Sequence, residues 1–197
     1  MPKDNAGGDY WEQIVRDYQA GSIDGYLAER RFSTEYKQQL KQAYKYVLDM
    51  PIRMKPKQRP KYRMIHVSNH EQGCILMANN MAARKDELFI DVQNEGQLIM
   101  FDQTTENEII STDDIRNKME TFLQTYTEDI RLNVLMASFF TEYGVICKSS
   151  DITDVLKTME HSGKIQVDRI PATTLKAGKS STFYTDGKGQ SVTIRRV

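Results

Sequence analysis

The chain has 197 residues, with 27 basic and 27 acidic side chains and no formal net charge. At 39% hydrophobic and 27% charged it has the composition of a folded protein rather than a disordered one, and no run reaches the ~18–20 apolar residues of a membrane span. Two cysteines, Cys74 and Cys147, neither build a disulfide framework nor fill a four-ligand zinc site. The opening Met1-Pro2-Lys3-Asp4-Asn5 lacks the apolar core of a signal peptide. These features predict a cytoplasmic protein with no metal, no cofactor and no membrane partner.

Neutrality holds only on average. Residues 30–63 carry eleven bases against two acids, residues 86–129 twelve acids against two bases, and residues 161–197 seven bases against two acids. Such segregation marks an electrostatic partner, or else basic ends that the acidic middle neutralises within the fold.

In chain order, residues 9–18 and 26–48 read as helices. In the second, Tyr36, Leu40, Tyr44, Val47 and Leu48 recur at three- and four-residue steps, and Pro51 stops the pattern. Residues 51–68 read as two strands around a turn marked by Pro56 and Pro60. Across it Arg53, Lys55, Lys57, Arg59, Lys61 and Arg63 occupy every second position, so an extended backbone sends them to one face. After Asn69-His70-Glu71-Gln72-Gly73, a helix carries Ile75, Leu76, Met77 and Met81. Residues 91–112 are polar and acidic apart from the strand candidate Leu98-Ile99-Met100-Phe101. The expected organisation is a helical and hairpin region over 1–92, an acidic connector over 93–112 and a second domain over 113–197.

That second domain has sharper signals. Thr112 or Asp113 can cap a helix bearing Ile115, Met119, Phe122 and Leu123. A second helix is predicted over 128–143 and ends at Gly144. A third, capped by Ser149 or Ser150, carries Ile152, Val155, Leu156 and Met159 as one buried stripe. A strand over 164–170 follows, then a hairpin pairing 181–185 with 191–195 across Asp186-Gly187-Lys188-Gly189. The fold class is therefore α+β: N-terminal helices with a β-hairpin, then a C-terminal winged helix-turn-helix.

No phosphate-binding glycine loop and no nucleophile elbow is present. His66, His70 and Cys74 recur at every fourth position, but the pattern runs from strand through loop into helix, so no metal site and no Cys–His nucleophile is assigned. The outward face of the third helix offers Thr153, Asp154, Lys157, Thr158, Glu160 and His161, a poor set for a phosphate-lined groove. Positive charge gathers instead on the wing. Lys157, Lys176, Lys179, Lys188, Arg195 and Arg196 are the predicted nucleic-acid contacts, with DNA preferred over RNA, and the alternating row from Arg53 to Arg63 is a second basic surface. A non-catalytic binding protein is expected, with a protein-docking module as an alternative.

The stretch Tyr62-Arg-Met-Ile-His-Val-Ser-Asn-His-Glu-Gln-Gly-Cys-Ile-Leu-Met-Ala-Asn-Asn-Met81, together with Gly8-Asp9-Tyr10-Trp11 and its tyrosine-rich sequel, resembles the C-terminal half of the three-Cys-motif partner proteins. The resemblance runs from about residue 8 to 197. It implies the end of a Rossmann-like methyltransferase domain followed by a winged helix. The family's Gly-rich methyl-donor loop has no counterpart here, so no catalytic residue carries over. It also implies a further alternative, the accessory half of a split or truncated methyltransferase that meets a methyltransferase-like chain along the hairpin edge.

Overall fold

The structure is a computed structural model and describes residues 9–52, 62–94, 110–173 and 178–197, with 85–94 described by their backbone alone. The first two helices described are tied by side chains. Helix α1 (Tyr10–Gln19) meets α2 (Gly25–Lys41) through Tyr10 against Phe32, ring centroids 5.8 Å apart, and through Arg31 to Asp17 at 3.3 Å. Asp24 caps α2 by accepting from the Leu27 N–H at 2.7 Å, satisfying one of the donors a helix start leaves open.

Helix α2 ends at Lys41, and residues 46–48, expected at its C-terminal end, open a strand instead. Strand β1 (Tyr46–Ile52) pairs antiparallel with β2 (Tyr62–Ser68), Asp49 facing Ile65 across the ladder. The hairpin is where the sequence places it, but its first strand starts five residues earlier than 51. Tyr46, Leu48 and Met50 turn into the core while Val47 and Asp49 face the opposite side, and all five are buried. A strand covered on both faces loses its alternation, and its apolar run then matches a helical spacing equally well.

Helix α3 (Glu71–Asn94) runs past position 93, where the connector was expected to begin. The strand candidate at 98–101 lies outside the described residues. Then come α4 (Thr112–Leu123), β3 (Ile130–Arg131), α5 (Leu132–Tyr143), α6 (Ser149–His161), β4 (Ile165–Ile170) and β5 (Ser191–Arg196). Ser111, rather than Thr112 or Asp113, caps α4: its hydroxyl accepts from the Asp114 N–H at 3.1 Å, and the Asp114 carboxylate reaches back to the Ser111 N–H. Residues 128–131, expected to start a helix, lead into the two-residue strand β3. Helix α5 follows and stops at Gly144, whose φ of 76° suits glycine.

Among the described residues, six helices and two small antiparallel sheets make a mixed α+β fold. The second sheet has the order β3-β5-β4. Strand β4 pairs directly with β5, Val167 opposite Ile194, so residues 181–185 form no ladder strand and belong to the connection between them. The in-register rows explain this outcome. Ile165 and Val167 match Val192 and Ile194 in alternation, which puts these four on one inner face and leaves Ile170 exposed on the other.

One apolar cluster joins the two ends of the chain. Tyr46, Leu48 and Met50 of β1, Cys74, Ala78, Met81 and Ala82 of α3, and Leu135, Phe139 and Phe140 of α5 belong to the same buried set as Ile152, Leu156 and Ile194. Small side chains set the α3–α5 approach: the Cys74 thiol lies 3.8 Å from the Ala137 carbonyl oxygen. Among the described residues no helix is long and apolar enough to cross a membrane.

A cluster of charges fastens α2 onto the hairpin. Asp49, 8% exposed in its side chain, accepts from Arg63 at 2.5 Å and pairs with Lys37 at 3.1 Å, while Arg63 also binds Glu29 at 2.5 Å.

Candidate nucleic-acid interface

The expected binding cations divide into three groups. Five members of the second basic surface, Arg53, Lys55, Lys57, Arg59 and Lys61, and wing residue Lys176 lie outside the described residues. The sixth member of that surface, Arg63, is half-buried between Glu29 and Asp49, where it fastens α2 rather than facing a partner.

A second group stands on the body and is already paired. Arg195 on β5 grips both oxygens of Asp129, at 2.6 and 2.5 Å, and this contact raises the guanidinium's pKa and lowers the carboxyl's. Lys157 on α6 bonds to Asp154 one turn earlier at 2.9 Å. Neighbouring cations behave alike: Lys164 reaches Glu120 at 2.6 Å, and Arg169 is chelated by Glu160 at 2.8 and 2.6 Å. The acidic middle of the chain thus meets part of its basic tail.

The third group is Lys179, Lys188 and Arg196, all exposed, whose side chains have no ion pair or hydrogen bond to a described residue. They do not converge. Lys179 and Lys188 belong to the long β4–β5 connection near the Ile170–Ser191 end of the sheet, and Arg196 sits opposite Ile165 at the other end of β5. At ~3.4 Å per strand residue, the five steps from Ser191 to Arg196 separate those ends by roughly 17 Å.

The connection holds its lysines on a fixed frame. Gly187 and Gln190 exchange two backbone hydrogen bonds, at 2.8 and 3.0 Å, around a tight turn. Lys188 sits within it at φ 51°, flanked by Gly187 at 129° and Gly189 at 81°. Just before it Asp186, its side chain 1% exposed, accepts from Arg131 at 2.7 Å, and its carbonyl oxygen accepts from Asn133 at 3.3 Å. Lys188 is therefore displayed from a turn pinned to the start of α5. Sequence reasoning missed Asp186 as that anchor, although its place before Gly-Lys-Gly was the available signal.

A second clamp holds the same connection to α6. The Tyr184 hydroxyl donates to Glu160 at 2.7 Å, and the Arg169 guanidinium lies 4.9 Å from the Tyr184 ring centre while donating to the Phe183 carbonyl at 3.0 Å. Arg169, followed by Tyr184, holds the Glu160 carboxyl below its ordinary value of 4.5, whereas burial and Glu160 push the Tyr184 phenol up. A depressed folded pKa stabilises the protein above the ordinary value, and that stability disappears as pH falls through the folded one. Stability of the native chain should consequently fall more steeply below about pH 4.5 than that of Glu160→Gln. Denaturant titrations across that window check this, and parallel curves for the two proteins would exclude the clamp.

Helix α6 itself is engaged at its start. Asn79 of α3 donates to the Ser149 hydroxyl and accepts the Ser149 N–H, both at 2.9 Å. Asp151 accepts from the Lys148 N–H at 2.8 Å. The end of the helix whose N–H groups would suit a phosphate is thereby occupied by the chain's own side chains.

Both cysteines are free and buried, and burial pushes the thiols of Cys74 and Cys147 up to about 12. Among the described residues no three His, Cys, Asp or Glu side chains gather as metal ligands. A cleft of about 310 Å3 opens between the starts of α3 and α5, lined by His70, Gln72, Arg131 and Asp186 among others. No known protein family, curated protein or solved structure matches the chain.

Proposed function

We propose that this chain is a non-catalytic binding protein whose 113–197 region is a winged helix-turn-helix, and whose wing over 171–190 touches the phosphate backbone of nucleic acid. The order α4, β3, α5, α6, β4, β5, with a long connection between the last two strands, supports the architecture. The division of charge carries the function: Lys157, Lys164, Arg169 and Arg195 on the body are paired with acids, while Lys179 and Lys188 on the wing, like Arg196 at the far end of β5, have no side-chain partner among the described residues. Base reading by α6 has little support, because its exposed face pairs Lys157 with Asp154 and its start is taken by Asn79. Contact is thus electrostatic and indifferent to sequence, with a DNA duplex as the natural partner of a helix-turn-helix.

Counterion release makes this testable. Each lysine that neutralises one phosphate contributes roughly one unit to the slope of log affinity against log salt. The double variant Lys179→Ala/Lys188→Ala should lower that slope by about two, while Arg195→Ala and Lys157→Ala should leave it almost unchanged. Titrations of a labelled duplex at several salt concentrations decide it. A slope indifferent to the wing lysines rules the assignment out.

Among the described residues β2 pairs with β1 alone, and this, with the resemblance of the stretch from Tyr62 to Met81, favours a second reading, the accessory half of a split methyltransferase. In that case a companion carrying the methyl-donor loop would accompany this chain in equal amount.

A further inference from the structure

The cleft between the starts of α3 and α5 holds a buried charge that the protein answers on one side only. Both members of an ion pair line it: Arg131, its side chain 61% exposed, and Asp186, its side chain 1% exposed. Arg131 donates to Asp186 Oδ1 at 2.7 Å, and Asn133 donates to the Asp186 carbonyl oxygen at 3.3 Å. Asp186 Oδ2 is buried too, and it has no hydrogen-bond donor among the described residues. A carboxylate oxygen removed from water and given no donor is costly, so an orphan of this kind in the wall of a cleft points to a donor within the cleft. Groups of the opposite polarity lie beside it. Helix α5 starts here with no side-chain cap and no acid in its first turn, which leaves its first N–H groups and the positive end of its dipole to another acceptor. Arg131 adds a guanidinium with five N–H donors, and its contact with Asp186 engages one nitrogen. On the α3 side, the Gln72 amide nitrogen stands 3.4 Å from where a side-chain carbon on Gly187 would lie, so Gln72 closes the cleft toward the wing. Glu71, the other acid in the lining, pairs with Lys45 at 3.7 Å.

We infer that this cleft binds a free α-amino acid, its ammonium group donating to Asp186 Oδ2 and its carboxylate accepting from Arg131 and the start of α5. Polarity selects the class. A plain anion satisfies Arg131 and the helix but brings no donor to Asp186, and a plain amine does the reverse; a small molecule with both poles answers both. Size and lining agree. At about 310 Å3 the cleft is near the bottom of the ~300–1,000 Å3 range of small-molecule pockets, and Val134 is the one apolar side chain among the described residues that line it. A short or polar ligand suits such walls better than an aromatic one. The site does not depend on nucleic-acid binding. Where that reading holds, the ligand gains a consequence: Asp186 precedes Gly187 and Lys188, so an ammonium bound to its carboxylate adds a hold on the turn that displays Lys188.

The test follows the backbone amide shifts of the isotope-labelled full chain, without nucleic acid, as each standard amino acid is added to millimolar concentration. At least one should move the amides of Asn133, Val134 and Gly187 together while those of β1 stay still. For that amino acid, the amine lacking its carboxylate and the acid lacking its amine should each bind at least about tenfold more weakly. Asp186→Asn should weaken binding by a similar factor. Should that variant fail to fold, the two ligand analogues decide the matter on the native chain. Amides that no amino acid moves overturn the inference. So does an analogue missing one pole that binds as well as its parent, or undiminished binding by folded Asp186→Asn. With no DNA present, none of these outcomes bears on the salt slope that tests the wing.

Discussion

Replacing Arg63 with alanine should lower the free energy of unfolding by about 3 kcal/mol, the low end of the range for removing one partner of a buried ion pair. Asp49 is the reason. Its side chain is 8% exposed, and Arg63 and Lys37 are the cations against it. Without Arg63 the buried carboxylate keeps, among the described residues, Lys37 at 3.1 Å, and Glu29 loses its contact with Arg63 as well. Lys37 remains in place, which keeps the cost from going higher. Alanine at both 63 and 49 should cost less than the sum of the two single changes, because the stranded charge is then gone. Urea unfolding of the four proteins measures the cycle. If Arg63→Ala left stability within about 0.5 kcal/mol of the native value and weakened DNA binding instead, Arg63 would belong to a binding surface after all.

Arg63 also shows where the sequence stops being informative. The alternation from Arg53 to Arg63 correctly implies an extended chain at its end, since Arg63 lies in β2, but a spacing rule reports a direction and never a partner. Arg63 meets acids 34 and 14 residues away; Arg195 meets one 66 away and Arg131 one 55 away. Such pairings exist only once the elements have packed. The summed charges of whole segments anticipated one of these, Asp129 of the acidic middle with Arg195 of the basic tail, but not the acids at 29, 49 and 186. Local signals did better. The stripe from Ile152 to Met159, the glycine stop at 144 and the second strand of the hairpin all recur in the structure. Failures came where two patterns coincide. Val47 and Leu48 continue a helical spacing, yet β1 is covered on both faces. Residues 181–185 have the composition of a strand, yet they are held by Ser181 to the Pro171 carbonyl and Tyr184 to Glu160 rather than by a ladder.

Whether the chain unfolds in one step or two turns on its core, and Phe139 is the residue with which to ask. It is fully buried in α5, edge-on to Phe122 of α4 at 5.7 Å and 4.9 Å from Tyr143 by ring centroids. Removing a phenyl group from such a position forfeits its transfer free energy and leaves a cavity that packed neighbours fill only partly. Phe139→Ala should therefore cost about 3–5 kcal/mol, a large share of what holds a protein of this size together. The distribution of that loss matters more than its size. Helix α5 packs on β1 and α3 as well as on the elements that follow it, and the buried cluster is continuous from Tyr46 to Ile194. If that continuity governs unfolding, amides of β1 and of α6 should lose protection together in Phe139→Ala, and urea should produce one transition by every probe. Protection lost in α6 but kept in β1 would mean instead that the hairpin region holds itself together and that a true boundary lies between 93 and 112. Mutating a residue on the far side of that boundary makes the two cases separable: only a shared core carries the damage back to β1.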